Sequence, residues 1–230
     1  MTAKLTTHDG WKLSNNLKGT AMRSLKSTGT KFATALYFGP ASFAFMSLAL
    51  LSLGSSLSMA APAVATNSLK FPFAQNEYVH RWSQKNQNEF TPEAQPNLDA
   101  WNDMVTINLY PGVKTGEALS AVANLVVVKY QEHGKILRTD SKKRTANKPA
   151  EHLIAALLGN PKYLEAVFAR FVLVNDAGYA IIYSHRVYGE KAGPEMSKWL
   201  KENGAETEQS LMAFDKIPTP TVLSQLPQSQ

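Results

Sequence analysis

The sequence predicts an α+β fold in which an antiparallel β-sheet is flanked by helices as an αβα sandwich. Three observations carry this. Residues 104–112 (MVTINLYPG) alternate Val105, Ile107 and Leu109 against Thr106 and Asn108, the period of a half-buried strand. From Thr115 the period changes, and Leu119, Val122, Ala123, Val126 and Tyr130 fall on one helical stripe. Residues 164–174 (LEAVFARFVLV) and 179–188 (YAIIYSHRVY) flank the turn Asn175-Asp176-Ala177-Gly178 as a hairpin that is apolar on both faces near the turn, so both faces need a cover.

The elements are expected in the following order. Residues 32–65 carry no Asp, Glu, Lys or Arg and follow six basic residues (Lys4, Lys12, Lys18, Arg23, Lys26, Lys31) opposed only by Asp9. That is the layout of a secretory signal, with Ala63-Val64-Ala65 as a cleavage site and Met22 as a start that would shorten the leader to ordinary length. An uncleaved anchor fits the same run, which is long enough to span a bilayer. Residues 1–65 are therefore read as signal peptide or anchor, 66–218 as a single domain, and 219–230, rich in Pro and Gln, as a mobile tail. Within the domain, after a short Ser/Asn-containing entry, EYVHRW (77–82) is a strand and 84–97 a polar loop with room for one extended piece. After the strand at 104–112 comes a helix capped by Thr115 and closed at Gly134. KILRTD (135–140) and EHLIAALLG (151–159) are strands around a basic connector at 141–149. After the hairpin, a helix opens with Pro194 in its first turn and is expected to break at Gly204 before continuing to 214. Helices separated by a meander suit an antiparallel sheet better than a doubly wound one.

Charge excludes one class of function. The leader holds six of the 24 basic residues and one of the 18 acidic ones, so the remainder has a net charge of about +1 and no nucleic-acid role follows from the basic pI. The chain has no Cys, which excludes thiol catalysis and thiolate-bound metal. No H-x-H or H-E-x-x-H motif occurs, and nothing in the pattern calls for a metal or another cofactor.

The string Tyr183-Ser184-His185-Arg186 looks reactive. In a strand, however, Ser184 and His185 point to opposite faces and cannot form a dyad with each other. Pairing Val174 with Tyr179 puts Phe168, Arg170, Val172, Ile181, Tyr183 and His185 on one face, and Val167, Ala169, Phe171, Leu173, Ile182, Ser184 and Arg186 on the other. The structural reading stacks Arg170 near Tyr183, packs His185 on Phe168 and pairs Glu165 with Arg186. The functional reading makes Arg170, Tyr183 and His185 a site for an anionic or sugar-like ligand, with Trp101 closing over it. A small hydrolase or isomerase using His185 and Tyr183 would need an acid from elsewhere. Arg138, Lys142, Lys143, Arg144 and Lys148 form a second candidate, a contact for an anionic partner such as a lipid headgroup. The bland alternative there is a solvated connector that keeps a sheet end from pairing with other chains.

The element order, strands, helix, four strands and helix, resembles the PsbP-like αβα sandwich, whose members act mostly as binding or assembly modules. Separately, YSHRVYG, EMSKWLKENG and SLMAFD are similar to small exported proteins of proteobacterial type. Together these imply a non-enzymatic binding module of the bacterial envelope, periplasmic or secreted. Its partner is expected to be an envelope protein or a small anionic ligand. A hydrolase or isomerase and a membrane-tethered structural factor remain the alternatives.

Overall fold

Eight strands form one antiparallel sheet in the order β1-β2-β3-β4-β8-β7-β6-β5. The computed structural model describes residues 68–229, so the expected leader lies outside the described residues. The elements are β1 (Lys70–Phe73), β2 (Asn76–Gln84), β3 (Gln87–Pro92), β4 (Asp103–Tyr110), α1 (Gly116–His133), β5 (Gly134–Lys142), β6 (Glu151–Asn160), β7 (Tyr163–Val174), β8 (Ala177–Tyr188), α2 (Ala192–Ala213) and α3 (Pro220–Ser224). Two four-stranded meanders meet where β4 pairs with β8, and α1 carries the chain from the centre of the sheet to its far edge at β5. Among the described residues no helix is long and apolar enough to cross a membrane.

The expected α+β class and the flanking of the sheet on both faces are present. On one face α2 packs over β7 and β8, and the core there joins Phe90, Ile107, Phe168, Tyr179 and Ile181 to Met196, Leu211 and Phe214. On the other face α1 lies over β5, β6 and β7 and buries Leu119, Val122, Ala123 and Val126 against Ile154, Ala169, Phe171 and Ala180.

Several local expectations differ from the structure. β1 is a strand where a short Ser/Asn-containing entry was expected, and β3 is a full strand at the one extended piece allowed for in the loop at 84–97. In β1, Pro72 is tolerated because the strand is at the sheet edge. In β3, the polar Asn88 is satisfied by both neighbouring strands: Ser83 of β2 donates its hydroxyl to Asn88 Oδ1 (2.7 Å), and the Asn88 amide donates to Ile107 O of β4 (3.2 Å). The β7–β8 turn is two residues, not four, because Asn175 (φ 51°) and Asp176 (φ 57°) both take the left-handed conformation of a type I′ hairpin. Val174 therefore pairs with Ala177 and not Tyr179; the slip is by two residues, so every side chain keeps its expected face. Gly134 is extended (φ 178°) and starts β5 directly, where a Cβ would lie 2.1 Å from Leu157 O. α2 runs unbroken through a buried Gly204. Finally, residues 219–229 are not a free tail: Thr219 caps α3 by accepting from Val222 N, and Leu223 and Leu226 are buried in the α2-side core.

Candidate functional site

β8 presents Tyr183 and His185 to the α2 face, and its partner β4 begins with Asp103 directly opposite His185. Asp103 Oδ1 accepts from both Tyr183 OH (2.7 Å) and His185 Nδ1 (2.9 Å). An ionised carboxylate only accepts, which assigns the ring proton to Nδ1 and leaves Nε2 with the lone pair when the ring is neutral. Gln95, from the loop between β3 and β4, fixes the carboxylate. Its Nε2 donates to Asp103 Oδ2 (3.1 Å), and its Oε1 accepts from the backbone N–H groups of Asn102 (2.8 Å) and Asp103 (2.9 Å). Burial would raise the Asp103 pKa, but the donors His185, Tyr183 and Gln95 outweigh it and hold the carboxyl below its ordinary value. The Tyr183 phenol is pushed far up, by burial first and then by the Asp103 charge.

Trp199 of α2 covers this group. Its ring stacks on His185 at 4.1 Å with 5° between planes, and lies 6.3 Å from the Tyr183 ring. The His185 side chain is 13% exposed. The structure therefore supplies the acid that a histidine-dependent enzyme needs, and covers the face with a helix. No described hydroxyl group hydrogen-bonds to His185, and Ser184 is on the opposite face, buried. His185 lies opposite Ala166, not Phe168, and this small neighbour accommodates the Trp199 stack.

The other two expected ligand residues are placed elsewhere. Arg170 shares the α2 face but does not stack on Tyr183. It donates from Nε to Glu151 Oε2 (3.1 Å) and from Nη1 to the carbonyls of Leu211 (3.2 Å) and Phe214. A cation at these last carbonyls suits the C-terminal end of α2. Trp101 is on the opposite face, 1% exposed, and forms no lid over His185. The Arg186 guanidinium lies between its ring (3.9 Å) and that of Tyr163 (4.0 Å), while Arg186 Nε donates to Glu165 Oε2 (2.8 Å), the expected pair placed directly cross-strand.

The basic connector also divides. Arg138 pairs with Asp140 (2.8 Å) and Glu208 (3.3 Å), and Lys142 reaches Glu151 (3.7 Å) and Met212 O (3.4 Å), so both are engaged along β5 and α2. Arg144 and Lys148 instead line a groove of about 920 Å³ on the α1 side, together with Lys114, Ser120, Asn124 and His152. Lys143 is exposed and lies outside it. Asp103, Gln95, Trp199 and Lys114 escaped the sequence reading, because each joins its site only through a long-range pairing. Among the described residues no cluster of three or more His, Asp or Glu is placed to hold a metal ion.

The fold is similar to that of solved structures at low identity. One is the Ran-binding protein Mog1p of Saccharomyces cerevisiae, at 12% identity and TM-score 0.39, covering 64% of this chain and 94% of that one. Another is a Pseudomonas aeruginosa protein of unknown function, at 11% identity and TM-score 0.38, covering 67% of this chain and all (100%) of that one. No curated protein matches the chain. A protein-family model does match, over residues 67–217, and the chain belongs to that family.

Proposed function

We propose that the chain is a non-enzymatic binding module exported to the bacterial envelope. The observation that carries the first part is the covered Asp103–His185–Tyr183 group. Its two donors share one carboxylate oxygen, Trp199 is stacked on the imidazole, and among the described residues no hydroxyl hydrogen-bonds to the ring. A hydrolase would need such a nucleophile, or a water held at Nε2 beside an open substrate cleft. The other ionic side chains that resembled a site, Arg170 and Arg186, hold α2 and the loop before β4 in place. These roles favour a binding module over a catalyst.

The test is a comparison of the wild type with His185→Gln on a panel of chromogenic esters, phosphoesters and glycosides. The expected result is no turnover above background by either protein; turnover that His185→Gln abolishes would refute the non-enzymatic reading. Export is supported by the uncharged run at 32–65 behind six basic residues. N-terminal sequencing of the protein from its native envelope fraction is expected to start near Thr66. An intact start at Met1 or Met22 would favour the membrane-tethered form instead, and recovery from the cytosol would reject export altogether.

A further inference from the structure

The groove on the α1 side has walls of unlike origin. One is Lys114 with the first two turns of α1; the other is the loop 143–150 between β5 and β6; His152 and Leu173 come from the sheet. Its volume, about 920 Å³, is within the range of small-molecule sites.

Its chemistry is strongly one-sided. Lys114, Arg144 and Lys148 bring cations from both walls, and none of them forms an ion pair within 4 Å among the described residues. The one acidic side chain at the groove, Glu117, already serves the helix start: it accepts from its own backbone N–H and from Thr115, and Arg144 acts on it only at longer range. The Thr115 hydroxyl accepts from Ala118 N (3.2 Å). The start of α1 is thus capped by its own residues, and the free positive charge at the groove belongs to the three side chains.

The loop that carries two of these side chains has a defined backbone. Thr145 N donates to Lys148 O (2.9 Å) and Lys148 N to Thr145 Oγ1 (3.1 Å), closing the loop into a turn with Arg144 and Lys148 at its two ends. Between the cations, Ser120, Asn124 and Asn147 line the groove, and their side chains make no hydrogen bond to other described residues. Ser120 and Asn124 are one helical turn apart and share a face. His152 adds a ring nitrogen, Nε2, that is buried with no partner among the described residues, while its Nδ1 is shared with Ser141 Oγ (2.9 Å). Burial holds this imidazole below its usual pKa, so it is a neutral hydrogen-bonding group and not a fourth cation.

Three spaced cations call for an anion with more than one charge, and unpaired amides and a hydroxyl call for a ligand bearing hydroxyl groups. We infer that this groove binds a phosphorylated sugar or polyol, with Lys114, Arg144 and Lys148 on phosphate and Ser120, Asn124 and Asn147 on hydroxyls. The inference rests on the binding-module reading and gives it a site and a ligand class. Such a group could come as a free metabolite or as a lipid headgroup.

The experiment titrates the purified full chain with a hexose bisphosphate, the unphosphorylated hexose and inorganic phosphate, followed by amide NMR. A parallel arm measures flotation with phosphatidylcholine vesicles with and without a phosphoinositide. The expected result is saturable binding of the bisphosphate or of the phosphoinositide vesicles, with shifts at residues 114–124 and 144–152 and none with the hexose. Binding of the free bisphosphate alone assigns the ligand to solution, and binding of the vesicles alone assigns it to the membrane; either supports the site. The triple variant Lys114→Gln/Arg144→Gln/Lys148→Gln should bind about tenfold more weakly or worse. Ser120→Ala/Asn124→Ala should lower bisphosphate affinity while leaving that for inorganic phosphate unchanged. No saturable binding in either arm, or undiminished binding by the triple variant, overturns the assignment. Neither outcome touches the non-enzymatic reading, which falls only to a turnover that depends on His185.

Discussion

Replacing Asp103 by Ala removes the oxygen that Tyr183 and His185 share, and strands a buried phenol on the α2 face. Hydrogen bonds to a charged group contribute about 1.5–3 kcal/mol each, and a buried donor left unpaired costs a similar amount. The two bonds end on one atom and cannot be added in full, so Asp103→Ala should cost about 3 kcal/mol in total. For a domain of this size that lowers Tm by about 6–12 °C. Asp103→Asn keeps an acceptor and loses the charge, so its cost at neutral pH should be roughly half as large. The two substitutions also separate the electrostatic part by pH. The folded carboxyl has a pKa below its unfolded value, so its contribution is fully present above the unfolded pKa of about 3.9 and disappears as pH falls through the lower folded value. The stability gap between wild type and Asp103→Asn should therefore be constant from pH 7 down to about 5 and narrow below about 4. Urea unfolding across that range, followed by Trp fluorescence, reads the effect. A fall in Tm of under about 2 °C for Asp103→Ala, or an acid-independent gap for Asp103→Asn, would refute the reasoning.

Arg170→Ala removes the buried cation that Glu151 and the carbonyls of Leu211 and Phe214 share and should destabilise by about 3 kcal/mol, read by chemical denaturation. Gly134→Ala forces a methyl group to within 2.1 Å of Leu157 O and should unpair the start of β5, seen as rapid amide exchange at residues 134–138. Asp176→Gly relieves a left-handed non-glycine residue in the β7–β8 turn and should raise stability by about 0.5–1 kcal/mol, measured by thermal unfolding.

What the sequence revealed, and what it concealed, divides by range. The α1 stripe is local, and Leu119, Val122, Ala123 and Val126 are the buried residues that the period of 3.6 selects. The faces of β7 and β8 were also legible, since a period of two survives a slip of two residues in register. β3 was legible only as an extended piece of a loop, because Asn88 is satisfied across the sheet by Ser83 of β2 and Ile107 O of β4, and QNEFTP by itself has the composition of a loop. The candidate site failed for a related reason. Arg170, Tyr183 and His185 do share a face, but which of them share a pocket depends on β4 pairing with β8, and that places Asp103 next to His185 across 82 residues of chain. Nothing local in the polar stretch FTPEAQ (90–95), or in Asp103 itself, encodes such a pairing.

The polar string on β8 has a use once that pairing is known. From the α2 face, Tyr183 and His185 bind Asp103, which Gln95 anchors to the loop between β3 and β4. On the other face, Arg186 lies on Trp101 of the same loop. Between the two faces, Arg186 N donates to Asn102 O (2.7 Å) and Asn102 Nδ2 returns a bond to Arg186 O (3.0 Å), while Tyr188 donates its hydroxyl to Trp101 O (2.7 Å). Tyr183, His185 and Arg186, which look like the ingredients of a nucleophilic site, thus join Tyr188 in holding one ten-residue loop from both sides of the sheet at the seam of the two meanders. A polar residue in a strand that must fasten a loop on both faces will alternate hydroxyl, imidazole and guanidinium just as a reactive site would, and only the cross-strand partners tell the two apart. The groove at α1 shows the opposite pattern: its cations and amides have few partners within the chain, and unmet hydrogen-bonding capacity is what a ligand supplies.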